Sequence, residues 1–239
     1  MSIGAVLDEA WTLYTKFFVR FFVLALAVFV IVNLVFGLFA VALTDSGGGQ
    51  AALLGVIALA TAIVGQYWLQ GAIVIAVHDA RDGTLDTGPR EIFSRVAPLL
   101  GSLVVAGILA GIGVAAGLIL LIAPGLFLLT IWSMLSPVIV LERSSVGAAF
   151  GRSRALVRGN GWRVFGLILV TAILTGIAGS LLRAVFSFLP RFLEIVIGST
   201  IASAVVAPFS AIALTVAYFT LVGDDTGADL AESPSPASL

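Results

Sequence analysis

Cysteine is absent, histidine occurs once, and charged residues make up only 10% of this 239-residue chain. The first absence excludes disulfides, thiol nucleophiles and thiolate metal sites, and it leaves the redox compartment open. The shortage of charge excludes an ordinary soluble surface, which carries about 25% charged residues. No Walker loop, nucleophile elbow or spaced pair of catalytic carboxylates is present, so enzymatic chemistry has no motif to rest on. A net charge of −1 does not point toward nucleic acid. The opening stretch, MSIGAVLDEAWTLYTK, lacks the basic start and short apolar core of a cleavable signal peptide, so the expectation is that it is retained.

What the chain has instead is apolar residues, 60% of the total. They fall into six runs, roughly 21–43, 53–77, 99–122, 126–141, 165–182 and 192–222. Runs of about 17–25 apolar residues are the length of a membrane-spanning helix. The fourth is short. The sixth is long and contains Pro208, so it reads as one span, as a kinked helix or as one that is partly interfacial.

The connections between the runs are of two kinds. Residues 44–50, 123–125 and 183–191 form short turns, with a tight break expected at Ala123-Pro124-Gly125. Residues 1–20, 78–98 and 142–163 are longer and hold ten of the 12 Lys and Arg residues, against two in the first set. That asymmetry predicts a protein of the cytoplasmic membrane with both termini cytoplasmic. Residues 1–222 are expected to form one six-span domain. The acidic, Ser- and Pro-rich residues 223–239 are expected to be a disordered cytoplasmic tail.

Each longer connection carries the spacing of an amphipathic helix. Ser2 is placed to cap a first helix whose Ile3, Val6, Leu7, Ala10, Leu13 and Tyr14 share a face. Pro89 suits the first position of a second, with Ile92, Phe93 and Val96 on one side. In the third, Val146, Ala149, Phe150 and Val157 line one face, and Gly159 fits a C-terminal cap. The fold class is therefore all-α: six transmembrane helices and three cytoplasmic amphipathic interfacial helices. At an offset of 143 residues, Gly4, Ala5, Leu13, Arg20, Phe22 and Leu24 coincide with Gly147, Ala148, Leu156, Arg163, Phe165 and Leu167. Those coincidences fit a threefold repeat of surface helix plus helical hairpin, and they fit chance recurrence in so apolar a chain equally well.

Five arginines cluster between residues 140 and 166: Arg143, Arg152, Arg154, Arg158 and Arg163. Sinking the last four into hydrocarbon would cost on the order of 10 kcal/mol, at about 2.5–3.5 kcal/mol each. At the headgroup level each instead gains about 1 kcal/mol beside an anionic leaflet. The segment is expected to lie at the interface, with its apolar face toward the bilayer and Arg152, Arg154, Arg158 and Arg163 toward lipid phosphates. The same arginines would also serve simply to fix topology.

This stretch resembles a known family. PGLFLLTIWSMLSPVIVLERSSVGAAFGRSRALVRGNGWRVFG (124–166) is similar to the signature of the glycerophosphoryl diester phosphodiesterase membrane-domain family, through Pro124, Gly125, Pro137, Val138, Glu142, Ala149, Phe150, Ser153, Leu156, Trp162 and Arg163. The start, IGAVLDEAWTLYTKFF, and the late APFSAIALTVAYF resemble it too. After Tyr218 the family pattern turns basic, whereas this chain runs FTLVGDD. The resemblance implies a six-span membrane domain that either stands alone or is joined to a soluble phosphodiesterase barrel. That barrel, with its His, Glu and Asp metal ligands, has no counterpart in these residues.

Few other residues invite a role. His78 with Asp79 and Asp82 reads as an interfacial cluster or as an incomplete metal site, since three spaced ligands are wanted. Glu194 is the one carboxylate inside an expected span, either part of a polar pathway or paired with Arg191 and Arg183. Gln66 and Gln70 share a helical face and either line that pathway or hydrogen-bond between helices, as Asn33 would. Gly107 with Gly111, and Gly113 with Gly117, form small-xxx-small pairs that let helices pack closely. The expectation is a non-catalytic organising, assembly or anchoring protein that needs no cofactor and contacts anionic phospholipid headgroups, a membrane partner or a cytoplasmic partner. A transporter or channel for a small solute or lipid is the alternative, and membrane-linked glycerophosphodiester hydrolysis is the remotest.

Overall fold

The computed structural model describes residues 1–45, 48–81 and 87–232, and among these every regular element is helical. In chain order they are α1 (Ile3–Lys16), α2 (Phe18–Asp45), α3 (Gly48–Arg81), α4 (Pro89–Val96), a 3-10 turn (Ala97–Leu99), α5 (Leu100–Leu120), α6 (Ile122–Ile131) and α7 (Leu135–Leu141). There follow α8 (Val146–Val157), α9 (Gly161–Val185), α10 (Arg191–Leu193), a π-helical turn (Glu194–Gly198) and α11 (Ser199–Glu232). Six stretches are long and apolar enough to cross a membrane: Phe18–Leu43, Ala52–Arg81, Pro89–Leu120, Ile122–Leu141, Gly161–Val185 and Arg191–Asp224. The chain is an all-α protein of multi-pass membrane type.

The outside of this bundle is as apolar as the inside. Ile31, Leu38, Leu53, Val56, Ile112, Ile119, Leu120, Ile173 and Leu181 are exposed, while Phe21, Leu24, Leu69, Ile73, Met134, Ile139, Leu167 and Ile212 are buried. Water would not tolerate such a surface, but lipid does. Association in lipid depends on close packing, and several glycines provide it. Gly117 of α5 lies against the backbone of Gly125 in α6, where an added Cβ would meet its Cα at 2.9 Å. Gly107 accepts the Tyr67 ring and Gly113 the Trp132 ring, whereas Gly111 faces open space. The paired-glycine expectation therefore holds at three of its four positions, two of them by receiving an aromatic ring.

Breaks fall where local chemistry decides. Leu121 is extended (φ −160°, ψ 143°), so the turn before the fourth span comes ahead of the expected 123–125. Pro124 then occupies the first turn of α6, where a missing N–H costs nothing. The fourth span is itself in two pieces, interrupted at 132–134 between α6 and α7. The sixth opens with α10 and the π-helical turn and continues as one helix through Pro208. That helix runs on to Glu232, so residues 223–232 are helical where a disordered tail was expected; adding a residue to an existing helix costs far less than nucleating one. Residues 233–239 of that tail lie outside the described residues.

The three short helices precede the hairpins as anticipated, although the surfaces they cover are protein. Val6, Ala10, Leu13 and Tyr14 of α1 are buried, as are Ile92 and Val96 of α4 and Ala149, Ser153, Leu156 and Val157 of α8. Helix α1 lies along α11, with the Met1 amine 2.9 Å from Asp224 and the Tyr14 hydroxyl donating to the Val205 carbonyl at 2.7 Å. Helix α4 packs on α3, and α8 packs chiefly on α7. An apolar stripe needs only an apolar partner, and a neighbouring helix serves as well as lipid. Ser2 takes the N-cap position of α1 without its side chain bonding there. Pro89 does open α4, and Gly159, at φ 83°, turns the chain from α8 into α9.

Candidate functional site

The arginines of the α8–α9 corner are not equivalent. Arg152 is held inward, its Nε donating to Glu142 Oε1 at 3.1 Å. The same carboxylate oxygen accepts the Tyr218 hydroxyl at 2.9 Å, joining the end of α7 to α11 across 76 residues. Arg154, Arg158 and Arg163 are exposed and make no ion pair among the described residues; Arg163 Nη1 donates only to Asn160 Oδ1, at 3.3 Å. Of the four arginines expected at lipid headgroups, three are thus free of carboxylates and Arg152 is engaged within the fold.

Those three arginines border a groove between α6 and the α8–α9 corner. One lobe, about 840 Å³, is lined by Leu126, Phe127 and Ile131 of α6 and by Trp162, Arg163 and Phe165 of α9. The adjoining lobe, about 570 Å³, shares Phe127, Ile131, Gly159 and Gly161 with the first and is lined also by Arg154 and Arg158. Volumes of this order belong to ligand-binding clefts. No carboxylate lines either lobe. Gly161, the first residue of α9, lines both, and that helix starts without a side-chain cap, so the partial positive charge of its first turn adds to the arginines. Trp162, which lines the larger lobe, stands 85% exposed, and such aromatics favour the boundary where headgroups meet hydrocarbon.

A second feature lies deeper. Gln66, Gln70, Ser133, Ser136, Ser210 and Thr215 share a cavity of about 60 Å³ between α3, the interrupted fourth span and α11. Ser136 Oγ donates to Gln70 Oε1 at 2.7 Å. Gln66 is 15 residues from Arg81, about 22 Å along α3 and close to the middle of its span. The break beside this cavity is stitched from α8: Ser153 Oγ donates to the Ile131 carbonyl at 2.7 Å and accepts from the Met134 N–H at 3.3 Å. Ser133 Oγ also donates, to the Thr130 carbonyl at 2.8 Å. Backbone groups freed inside an apolar bundle need such partners.

Glu194 does not join Gln66 and Gln70. It stands in the π-helical turn, 16 residues and about 24 Å of helix from Ser210, and does not line the cavity. Nor does it pair with Arg191 or Arg183: among the described residues its side chain makes no ion pair or hydrogen bond. That Glu194 stands away from Gln66 and Gln70 was not visible from spacing along the sequence. Asn33 is separate again, its buried Nδ2 without a hydrogen-bond partner among the described residues.

At the C-terminal end of α3, His78 Nδ1 is 3.5 Å from Asp79 Oδ1. Asp79 is otherwise occupied, accepting from Thr87 Oγ1 at 2.9 Å and from Arg95 Nη1 at 3.3 Å. Asp82 lies outside the described residues, and no group of three metal-binding side chains occurs among those described. Nearby, Arg81 pairs with Glu9 at 3.3 Å and lies over the Phe219 ring, fastening α1, α3 and α11 together.

Reading the sequence missed Ser133, Ser136, Ser210 and Thr215 as companions of the glutamines, and Tyr218 as the partner of Glu142. Only the spacing Ser133-x-x-Ser136 gave a signal, and serines are common on small-residue helix faces. In comparison with known proteins, no family model, curated protein or solved structure matches the chain.

Proposed function

We propose that this protein is a non-catalytic, multi-pass membrane protein that binds anionic phospholipid at its basic end and so anchors or organises an assembly at the cytoplasmic membrane. The observation that carries the reading is the convergence of Arg154, Arg158 and Arg163, free of carboxylates, on a groove between α6 and the α8–α9 corner. Three cations at the headgroup level contribute about 3 kcal/mol toward an anionic leaflet, at about 1 kcal/mol each. The ten-to-two charge asymmetry supports an orientation with both termini in the cytoplasm.

Lipid copurifying with the protein in native nanodiscs tests the reading. Replacing Arg154, Arg158 and Arg163 by Gln is expected to abolish enrichment of anionic over zwitterionic phospholipid. Unchanged enrichment would overturn it. Because the chain has no cysteine, Ala155→Cys gives a single label site for orientation. An impermeant maleimide should reach it in inverted vesicles and not in intact cells.

Membership of the glycerophosphoryl diester phosphodiesterase membrane-domain family is likewise a proposal. It is supported by the contacts among Glu142, Tyr218 and Arg152, since the first two belong to separate stretches of the resemblance. The succession of short helix and hairpin three times over, with each short helix against the last span of another hairpin, supports the repeat.

The cavity at the interrupted fourth span favours a second reading, passage of a small polar solute. Broken helices around polar midplane sites are a transporter device. Solute flux into proteoliposomes that falls with Gln70→Leu would support it.

A further inference from the structure

We infer that the groove between α6 and the α8–α9 corner holds one anionic phospholipid, its phosphate among Arg154, Arg158 and Arg163 and an acyl chain along Leu126, Phe127 and Phe165. The inference rests on the lipid-binding reading above and gives it a single site and stoichiometry.

The two lobes differ in chemistry while sharing a wall. The lobe bearing Arg154 and Arg158 carries two of the guanidiniums, and the larger lobe behind Phe127 is walled mainly by apolar side chains, with Arg163, Asn160 and Thr130 as its polar ones. A free phosphate would fill the first and leave the second without purpose. A hydrocarbon alone would leave three guanidiniums unanswered. An amphiphile with a negative head and a long chain satisfies both, and its phosphate lies beside the start of α9, which no side chain caps, as well as the arginines. Trp162, exposed on the larger lobe beside Arg163, is of the residue type that favours the boundary between headgroup and hydrocarbon.

A second lateral groove provides the internal comparison. Between α2, α3 and α4 lies a space of about 580 Å³ lined by Ile31, Val64, Trp68 and Phe93, with Arg90 the one cation beside it. Its walls are as apolar, but one guanidinium in place of three makes it a poor match for an anionic head.

The experiment uses the full chain, delipidated in detergent and titrated under native mass spectrometry with phosphatidylglycerol, with phosphatidylcholine of matched chains, and with glycerol 3-phosphate. One phosphatidylglycerol is expected to bind at least tenfold more tightly than phosphatidylcholine, and glycerol 3-phosphate should not compete. R158Q/R163Q should remove the preference. Ala123→Trp, which places an indole on the exposed wall of the apolar lobe, should remove the bound phosphatidylglycerol, whereas R90Q should change nothing. Leu126→Trp serves as a second filling variant, and size-exclusion elution with the wild-type helical signal confirms folding. Competition by glycerol 3-phosphate overturns the lipid assignment in favour of a soluble phosphate. A preference that falls with the arginine variants while both filling variants retain the bound lipid overturns the groove but leaves the broader lipid-binding reading standing. A preference indifferent to the arginines overturns both.

Discussion

Ser153 of the arginine-bearing helix closes the gap in the fourth span, with its hydroxyl donating to the carbonyl of Ile131 at 2.7 Å. The residue is fully buried. It also accepts from the Met134 N–H, so one side chain serves both edges of the interruption. The basic corner and the interrupted span are thereby one mechanical piece.

Ser153→Ala should leave that carbonyl and N–H unpaired in a dry interior, at a cost of about 1–3 kcal/mol. The thermal midpoint of the detergent-purified protein should fall by several degrees. An unchanged midpoint would show that the break supports itself.

Gly117→Leu should destabilise by about 1–3 kcal/mol, because the α5–α6 approach leaves no room for a side chain against Gly125. Gly111→Leu, six residues away and facing open space, should leave the midpoint where it is. Comparing the two variants in one thermal series separates crowding at the interface from a general dislike of bulk in α5.

Tyr218→Phe removes the hydroxyl that reaches Glu142, a bond to a carboxylate worth about 1.5–3 kcal/mol. Arg152→Gln removes the other partner. Since both contact the same oxygen, the double variant should lose an amount different from the sum of the singles, by about 0.5 kcal/mol or more. Additive losses in urea titrations would mean that the two contacts act independently.

Burial pushes the Tyr14 phenol above its usual range. Its neutral form is the one favoured in the fold, where it donates to the Val205 carbonyl one turn ahead of Pro208. Stability from this residue is therefore fully present below about pH 10, the unfolded value, and is lost as pH rises from there toward the higher folded value. Tyr14→Phe should flatten the decline in thermal midpoint between about pH 9.5 and 11 relative to the wild type. A parallel decline would exclude Tyr14 as a source.

The spans were legible because a run of about 20 apolar residues has few other uses. The places where regularity fails were not. The stretch Trp132-Ser133-Met134 contains neither glycine nor proline, and what sustains its break is the Ser153 hydroxyl, 22 residues beyond Ile131. Gln66 and Gln70 were readable as a pair by their spacing, yet their serine and threonine neighbours belong to other spans and become visible only when the helices are brought together. Glu194 shows the converse. Its proximity to Arg191 in sequence read as an ion pair, but in the structure Glu194 makes none among the described residues. The arginine corner was the most legible feature, since charge in so apolar a chain has few places to go, though the sequence did not separate Arg152 from its three neighbours.

The seating of α1 along α11 has a bearing on how the chain is made. The ribosome delivers the first helix about 180 residues before its partner begins to emerge. Through most of synthesis the stripe of Val6, Ala10 and Leu13 has no protein to rest on, and the nearest greasy surface is the membrane itself. The helix would then wait on the bilayer and dock last, making closure of the N-terminus the final act of assembly.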